Sequence, residues 1–234
     1  MLIKIGLEND FEGRSLAWLL DFPGCFAYGP DETTALMSVP RRLLEYRDWI
    51  GRRTADSWLA DLGDFDMRLV ETFHCYTIDE NYNDAEEGYD VGAWFRHDWK
   101  PLSVIETRRA AQMLEWSRQD LMQIINGLSR EEMEKNYEGE RWSVLGILSH
   151  VAGAEWWYMD RLNLSGMTRA QLPRVPFERL ELVRNKMLAV LPELAGEEKV
   201  VGVQGELWSP RKILRRALWH ERDHIEHILK LLLR

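Results

Sequence analysis

Residues 209–234 read SPRKILRRALWHERDHIEHILKLLLR, and the reading of this stretch decides the fold. Ser209 followed by Pro210 is a helix start, a cap and then a proline at the first helical position. From there the periodicity predicts a helix running almost to Arg234. One face carries Ile213, Ala217, His220, His224, His227 and Leu231, at spacings of three and four, so these residues form a single stripe. Imidazoles therefore stand where a helix packed in a bundle would place Leu or Ile. Burying one without a partner costs on the order of 1–3 kcal/mol, and burying three without a shared ligand is energetically unfavourable.

Working back toward the N-terminus, three more amphipathic segments appear. Leu102, Ile105, Ala110, Met113, Leu114, Leu121, Ile124 and Ile125 mark a first long helix, with Gly127 near its end. Ser143 is a candidate cap for a second, which carries the stripe Ile147, His150, Ala154, Trp157. Residues 177–191 make a third, stopped by Pro192. Four such helices with short or moderate connections predict an all-α four-helix bundle over residues 101–234. His150 can then face the last helix. His150, His220 and His224 are the candidate metal ligands, because three neutral imidazoles with one open position suit Zn²⁺ or Ni²⁺. The alternative is a set of core histidines satisfied by carboxylates such as Glu155 and Glu221. His227, Glu155, Trp157 and Trp219 are candidates for the surroundings of the site or its pocket.

His220-Glu221-Arg222-Asp223-His224 also fits H-E-x-x-H, in which the glutamate serves a zinc protease as general base. Only ten residues follow His224, and His227 stands where the extended motif requires glycine. A protease reading is set aside, while Glu221 stays open as a catalytic base.

The first 78 residues have a different pattern. Residues 1–8, 15–22 and 25–29 read as short strands punctuated by Pro23-Gly24 and Gly29-Pro30. Asp31 caps a helix that Pro40 is expected to kink or break. Residues 57–62 suggest one or two further helical turns, and residues 68–78 (RLVETFHCYTI) a single strand. The prediction is an α+β domain over residues 1–78, a small antiparallel sheet with a helix. An acidic, Trp-rich linker over residues 79–100 follows, then the bundle.

Composition bounds the function. A hydrophobic fraction of 45% and a charged fraction of 29% describe a folded chain. The net charge of −9 argues against a dedicated nucleic-acid binder. Two cysteines, Cys25 and Cys75, make no disulfide framework, and the longest uncharged run, 142–154, is too short for a bilayer. A cytoplasmic location without membrane association is expected. Asp79, Asn81, Asn83, Glu87 and Asp90 imitate a calcium loop, but Asp84 replaces the required glycine. The basic run Arg211, Lys212, Arg215, Arg216 reads as a solvated helix face, or as a site for an anionic ligand.

Two segments carry a resemblance. Residues 141–162, RWSVLGILSHVAGAEWWYMDRL, and 207–229, LWSPRKILRRALWHERDHIEHIL, look like the second and fourth helices of the DinB/YfiT-like family. That resemblance implies a four-helix bundle with a three-histidine metal site on His150, His220 and His224. It further implies chemistry similar to that of transferases and isomerases using bacillithiol, mycothiol or glutathione. Residues 21–46, DFPGCFAYGPDETTALMSVPRRLLEY, resemble HicB-like antitoxin domains. No DNA-binding segment accompanies them, so a structural or ligand-shaping module is implied. The leading expectation is a divalent-metal-dependent enzyme passing a low-molecular-weight thiol to a small electrophilic substrate, as a homodimer. The competing ones are a metal-dependent hydrolase using Glu221 or Glu155 as base, and a non-enzymatic stress-response or binding module, with a toxin-like protein as a possible partner.

Overall fold

A computed structural model describes residues 1–55, 58–59 and 62–234. It divides into two compact units. The first is Met1–Trp99 with Gly202–Trp208, and the second is Lys100–Val201 with Ser209–Arg234. The helical turns expected at residues 57–62 fall partly outside the described residues.

The first unit is an α/β region with small sheets. Strands β1 (Leu2–Phe11), β2 (Arg14–Leu19), β3 (Phe26–Gly29) and β4 (Asp66–His74) form one sheet in the order β3-β2-β1-β4. β1 and β2 are an antiparallel hairpin with Ile5 opposite Leu19 and Leu7 opposite Ala17. β4 instead lies parallel to β1, with Ile5 opposite Leu69, so the sheet is mixed where an antiparallel one was expected. Helix α1 (Glu32–Gly51) is capped by Asp31, whose side chain accepts from the Thr34 amide. It packs on β2 and β3 and buries Ala35, Val39, Leu43, Tyr46 and Ile50. Pro40 lies inside this helix without ending it. Proline costs the helix one donor, but buried residues on both sides of it hold the two halves against the sheet.

The strand expected over residues 68–78 is two strands. The Cys75 amide donates to Asn9 as β1 runs out, and β5 (Tyr76–Ile78) then pairs antiparallel with β6 (Tyr89–Val91). Residues 79–100 are not a free linker. Val91, Ala93 and Phe95 are fully buried. A Cβ on Gly6 would meet the Phe95 ring at 2.7 Å, so only glycine admits this ring. Glu8, also fully buried, accepts from the Ala93 amide (2.6 Å), the Trp18 indole (2.8 Å) and the Cys75 thiol (3.3 Å). A further hairpin, β7 (Val201–Val203) and β8 (Glu206–Trp208), was not anticipated. Its turn, Gln204-Gly205, has φ of 52° and 73°, as a two-residue turn of this hand requires.

The second unit is helical. α2 (Val104–Ile125) starts at Ser103 with a capping box to Glu106. A short α3 (Arg130–Glu134) follows, then α4 (Val144–Asp160), α5 (Pro176–Val190) and α6 (Pro210–Leu232). α4 packs on α5 and α6, and α2 packs on α6. The first turn of α6 corrects the solvated basic face. Arg211, Lys212 and Arg215 are buried. Arg211 donates to the Lys100 carbonyl (3.0 Å), the Pro101 carbonyl (2.8 Å) and Glu106 Oε1 (2.5 Å), tying the start of α6 to the start of α2.

Four charged side chains, one from each long helix, meet in the interior. Arg118 of α2 reaches Glu155 of α4 at 2.8 Å and Glu221 of α6 at 2.7 Å. Arg184 of α5 reaches Glu155 at 2.6 Å and Glu221 at 3.0 Å. The spare guanidinium donors go to main-chain carbonyls, Arg118 to Leu180 at 2.6 Å and Arg184 to Leu114. Burial works against the charge on Glu221, yet Arg184 and Arg118 outweigh it and hold its carboxyl below the ordinary range. Burial likewise opposes the charge on Arg184, and Glu155 and Glu221 raise its pKa above the ordinary value.

Two predictions follow from these ties. Arg184→Met strands two buried carboxylates on one remaining arginine and costs about 3–5 kcal/mol. Adding Glu155→Leu recovers part of that loss, because the two residues share one network; urea midpoints of the single and double variants measure it. Glu106→Gln weakens both a helix cap and the Arg211 tie, at a cost of about 1 kcal/mol. The Glu106 carboxyl is lowered to about 2, with burial opposing and Arg211 and Ser103 prevailing. Its contribution is therefore complete above the ordinary glutamate pKa and fades as pH falls toward 2, so the difference between wild type and E106Q shrinks in acid.

Candidate metal centre

Ser143 caps α4 by accepting from the Gly146 amide, which sets the phase that turns His150 toward α6. His220 and His224 stand one turn apart on the buried face of α6. One ligand atom from each of the three histidines lies within 4.8 Å of the others. His150 Nε2 and His220 Nε2 face each other at 3.0 Å. Ring centroids are 4.5 Å apart for His220 and His224, 4.7 Å for His150 and His220, and 5.0 Å for His150 and His224. Nitrogens bound to one ion at about 2.0–2.1 Å sit roughly 3.4 Å from each other in a tetrahedron, so the cluster needs only small movements to close on a cation.

The electrostatics suit a cation ligated by neutral nitrogen. Burial, then the neighbouring His224 and His150, then Arg216, push the His220 pKa well below its ordinary value. Burial and Arg141 lower His150. Burial, His150 and His227 take His224 down to about 3. At neutral pH all three rings are therefore unprotonated, the state that binds a metal. His224 Nδ1 is buried and has no hydrogen-bond partner among the described residues. The donor set fits a divalent ion of borderline softness.

Aromatic rings wall the cluster. Trp142 stacks on His150 at 4.3 Å, Trp219 lies 5.7 Å from His220, and Tyr158 lies 6.0 Å from the same ring. Trp157 is one ring further out, 5.6 Å from Tyr158 and under the Arg161 guanidinium. Sequence reasoning did not single out Trp142. A usable signal was Gly146, one turn before His150. A Cβ there would come within 3.0 Å of the Trp142 side chain, so the glycine makes room for the indole that covers His150.

Other candidates lie outside the cluster. His227 bonds Glu140 at 2.9 Å, and Glu140 also pairs with Arg234 at 2.9 Å. Glu155 and Glu221 face arginines rather than histidines. His97 bonds Asp21 at 3.0 Å and His74 bonds Asp10 at 3.1 Å. In the acidic loop, the Asp79 carboxylate accepts from the amides of Asn81 and Asn83, an ordinary turn.

No helix among the described residues is long and apolar enough to cross a membrane. No curated protein and no solved structure matches this chain. Residues 113–228, which carry the three clustered histidines and all four charges of the buried network, match the family model described as the DinB superfamily.

Proposed function

We propose that His150, His220 and His224 hold a divalent ion, Zn²⁺ or Ni²⁺, and that the chain is a thiol-dependent transferase or isomerase acting on a small electrophile. The observation that carries this reading is the convergence of three neutral imidazoles, two buried and His150 half-buried, on one point. When bound, the ion supplies a Lewis acid that lowers the pKa of a thiol placed at the remaining position. His150 and the α6 pair orient that position, and Trp142, Trp219 and Tyr158 keep bulk water from it. In this reading the four long helices form a four-helix bundle. The first unit is a HicB-like module, and the protein works as a cytoplasmic homodimer.

The hydrolase reading needs a carboxylate free to take a proton from water. Glu155 and Glu221 are each held by two guanidinium groups, so neither carboxylate is free, and Glu221 is in addition more acidic than usual. A structural site closed by His227 would have to break its bond to Glu140.

Three outcomes test the proposal. Protein purified without a nickel column carries about one divalent ion per chain, and His220→Ala/His224→Ala carries almost none; equal metal in both removes the reading. Consumption of a chromogenic electrophile requires an added low-molecular-weight thiol, whereas turnover with metal and water alone selects the hydrolase. Finally, the unfolded histidines protonate near 6.5 and native His224 only near 3. Between these values the unfolded state binds more protons, so the metal-free protein is most stable above the ordinary histidine pKa and weakens as pH falls. Urea midpoints against pH show a shallower acid slope in the double-alanine variant.

A further inference from the structure

Strand β4 is the outer edge of its sheet. It bonds β1 on one side, and among the described residues no strand pairs with its other side. Native sheets blunt a free edge with proline, lysine or a very short strand. β4 is nine residues long, DMRLVETFH, with neither proline nor lysine. Met67, Leu69 and Val70 are exposed along it.

The direction of its main-chain groups can be counted from both ends. The Asp66 amide donates to the Met1 carbonyl and the Cys75 amide to the Asn9 carbonyl, so these residues turn toward β1. By alternation Arg68, Glu71 and Phe73 do the same, and the N–H and C=O groups of Met67, Leu69, Thr72 and His74 point away. The count slips once, at Val70, where Ile5 lies opposite Leu69 but Gly6 opposite Glu71. The outward residues are therefore spaced two, three and two apart, a pattern that is the same in both directions. A regular strand, with outward groups every second residue, matches only half of it. An antiparallel second copy of β4 matches all of it, bulge facing bulge. Met67 then lies opposite the partner's His74, and Leu69 opposite the partner's Thr72.

The side chains agree with this register. Lys4, Gly6 and Glu8 share one face of β1, so Arg68, Glu71 and Phe73 beside them share it too. The Arg96 amide holds Glu71 on that face at 2.9 Å, and Trp94 meets the Phe73 ring at 6.2 Å. Arg68 is exposed. In the pairing it stands opposite the partner's Phe73 and one diagonal step from the partner's Glu71, within reach of a long side chain. No like charges stand opposite each other.

We infer that a second copy of this chain pairs with β4 through its own β4, antiparallel, joining two four-stranded sheets into one. This rests on the homodimer reading above, to which it gives an interface, and is independent of the metal centre. The test is sedimentation of the full chain across micromolar concentrations, where a dimer is expected. Thr72→Pro removes an outward donor and no bond to β1. Its far-UV circular dichroism stays unchanged while the dimer dissociation constant rises on the order of tenfold. Arg68→Glu faces the partner's Glu71 and raises that constant about threefold. Leu69→Cys/Thr72→Cys oxidises to a covalent dimer. Within one strand these positions are roughly 10 Å apart, beyond disulfide reach, and the unsubstituted chain gives no such dimer. A monomer at every concentration overturns the inference and the homodimer reading together, leaving the metal reading intact. A dimer indifferent to Thr72→Pro or Arg68→Glu, or one that forms no cross-link, overturns the inference alone and puts the interface on another face.

Discussion

The arrangement depends on two glutamates and Arg184, all buried between four helices, together with the half-buried Arg118. Taking four charges out of water is costly, and in the interior they are tolerated only because every one meets two partners of opposite sign at 2.6–3.0 Å. Replacing such a network by an apolar core of the same volume is often neutral or stabilising. What the network adds is phase. Rotating α6 by one residue turns it about 100° and withdraws Glu221 from both guanidinium groups. Because His220 adjoins Glu221 and His224 follows one turn later, the same constraint fixes both imidazoles. Glu155 does the equivalent for His150 on α4. The ion network and the histidine cluster are two readouts of one set of helix rotations.

The two layers divide the electrostatic work. Carboxylates that could have paired with the histidines are committed to arginine, which leaves the imidazoles uncharged and their lone pairs available. A histidine held by a nearby carboxylate would sit higher in pKa and compete for protons. Here burial dominates and drives all three rings the other way. The cluster therefore presents nitrogen donors without neutralising charge.

Much of this was legible in the chain, for specific reasons. The α6 stripe follows from spacing alone, and Ser209-Pro210 and Ser143 announce their helices as caps. Short-range signals failed wherever the partner was distant. Arg118 and Arg184 look like ordinary charges on α2 and α5, although Arg184 occupies the core phase of Leu180 and Met187 and could have been noticed there. Glu140, which takes His227 out of the cluster, lies in irregular chain before α4 where no periodicity exists. The buried Ala93 and Phe95 of the supposed linker meet Gly6 and Glu8, roughly ninety residues earlier, a complementarity that no local window contains. The basic start of α6 was misread because a charge run is usually solvated; Arg211 is buried by the carbonyls of Lys100 and Pro101.

The cost of the histidines is the strongest argument that they bind something. Leu or Ile at 150, 220 and 224 would bury apolar surface and leave no nitrogen to satisfy. The chain instead keeps His224 Nδ1 inside without a hydrogen bond among the described residues and sets two Nε2 atoms face to face. Two such nitrogens can share only one proton between them, and an unsatisfied buried polar atom costs about 1–3 kcal/mol. The capped helices and the ion network hold these groups together against that penalty. A sequence does not maintain such a penalty for packing alone, since packing is better served by removing it. In the proposed reading, stability given up in the metal-free chain would be recovered if a cation took the lone pairs, which is how a preorganised site on rigid helices should behave.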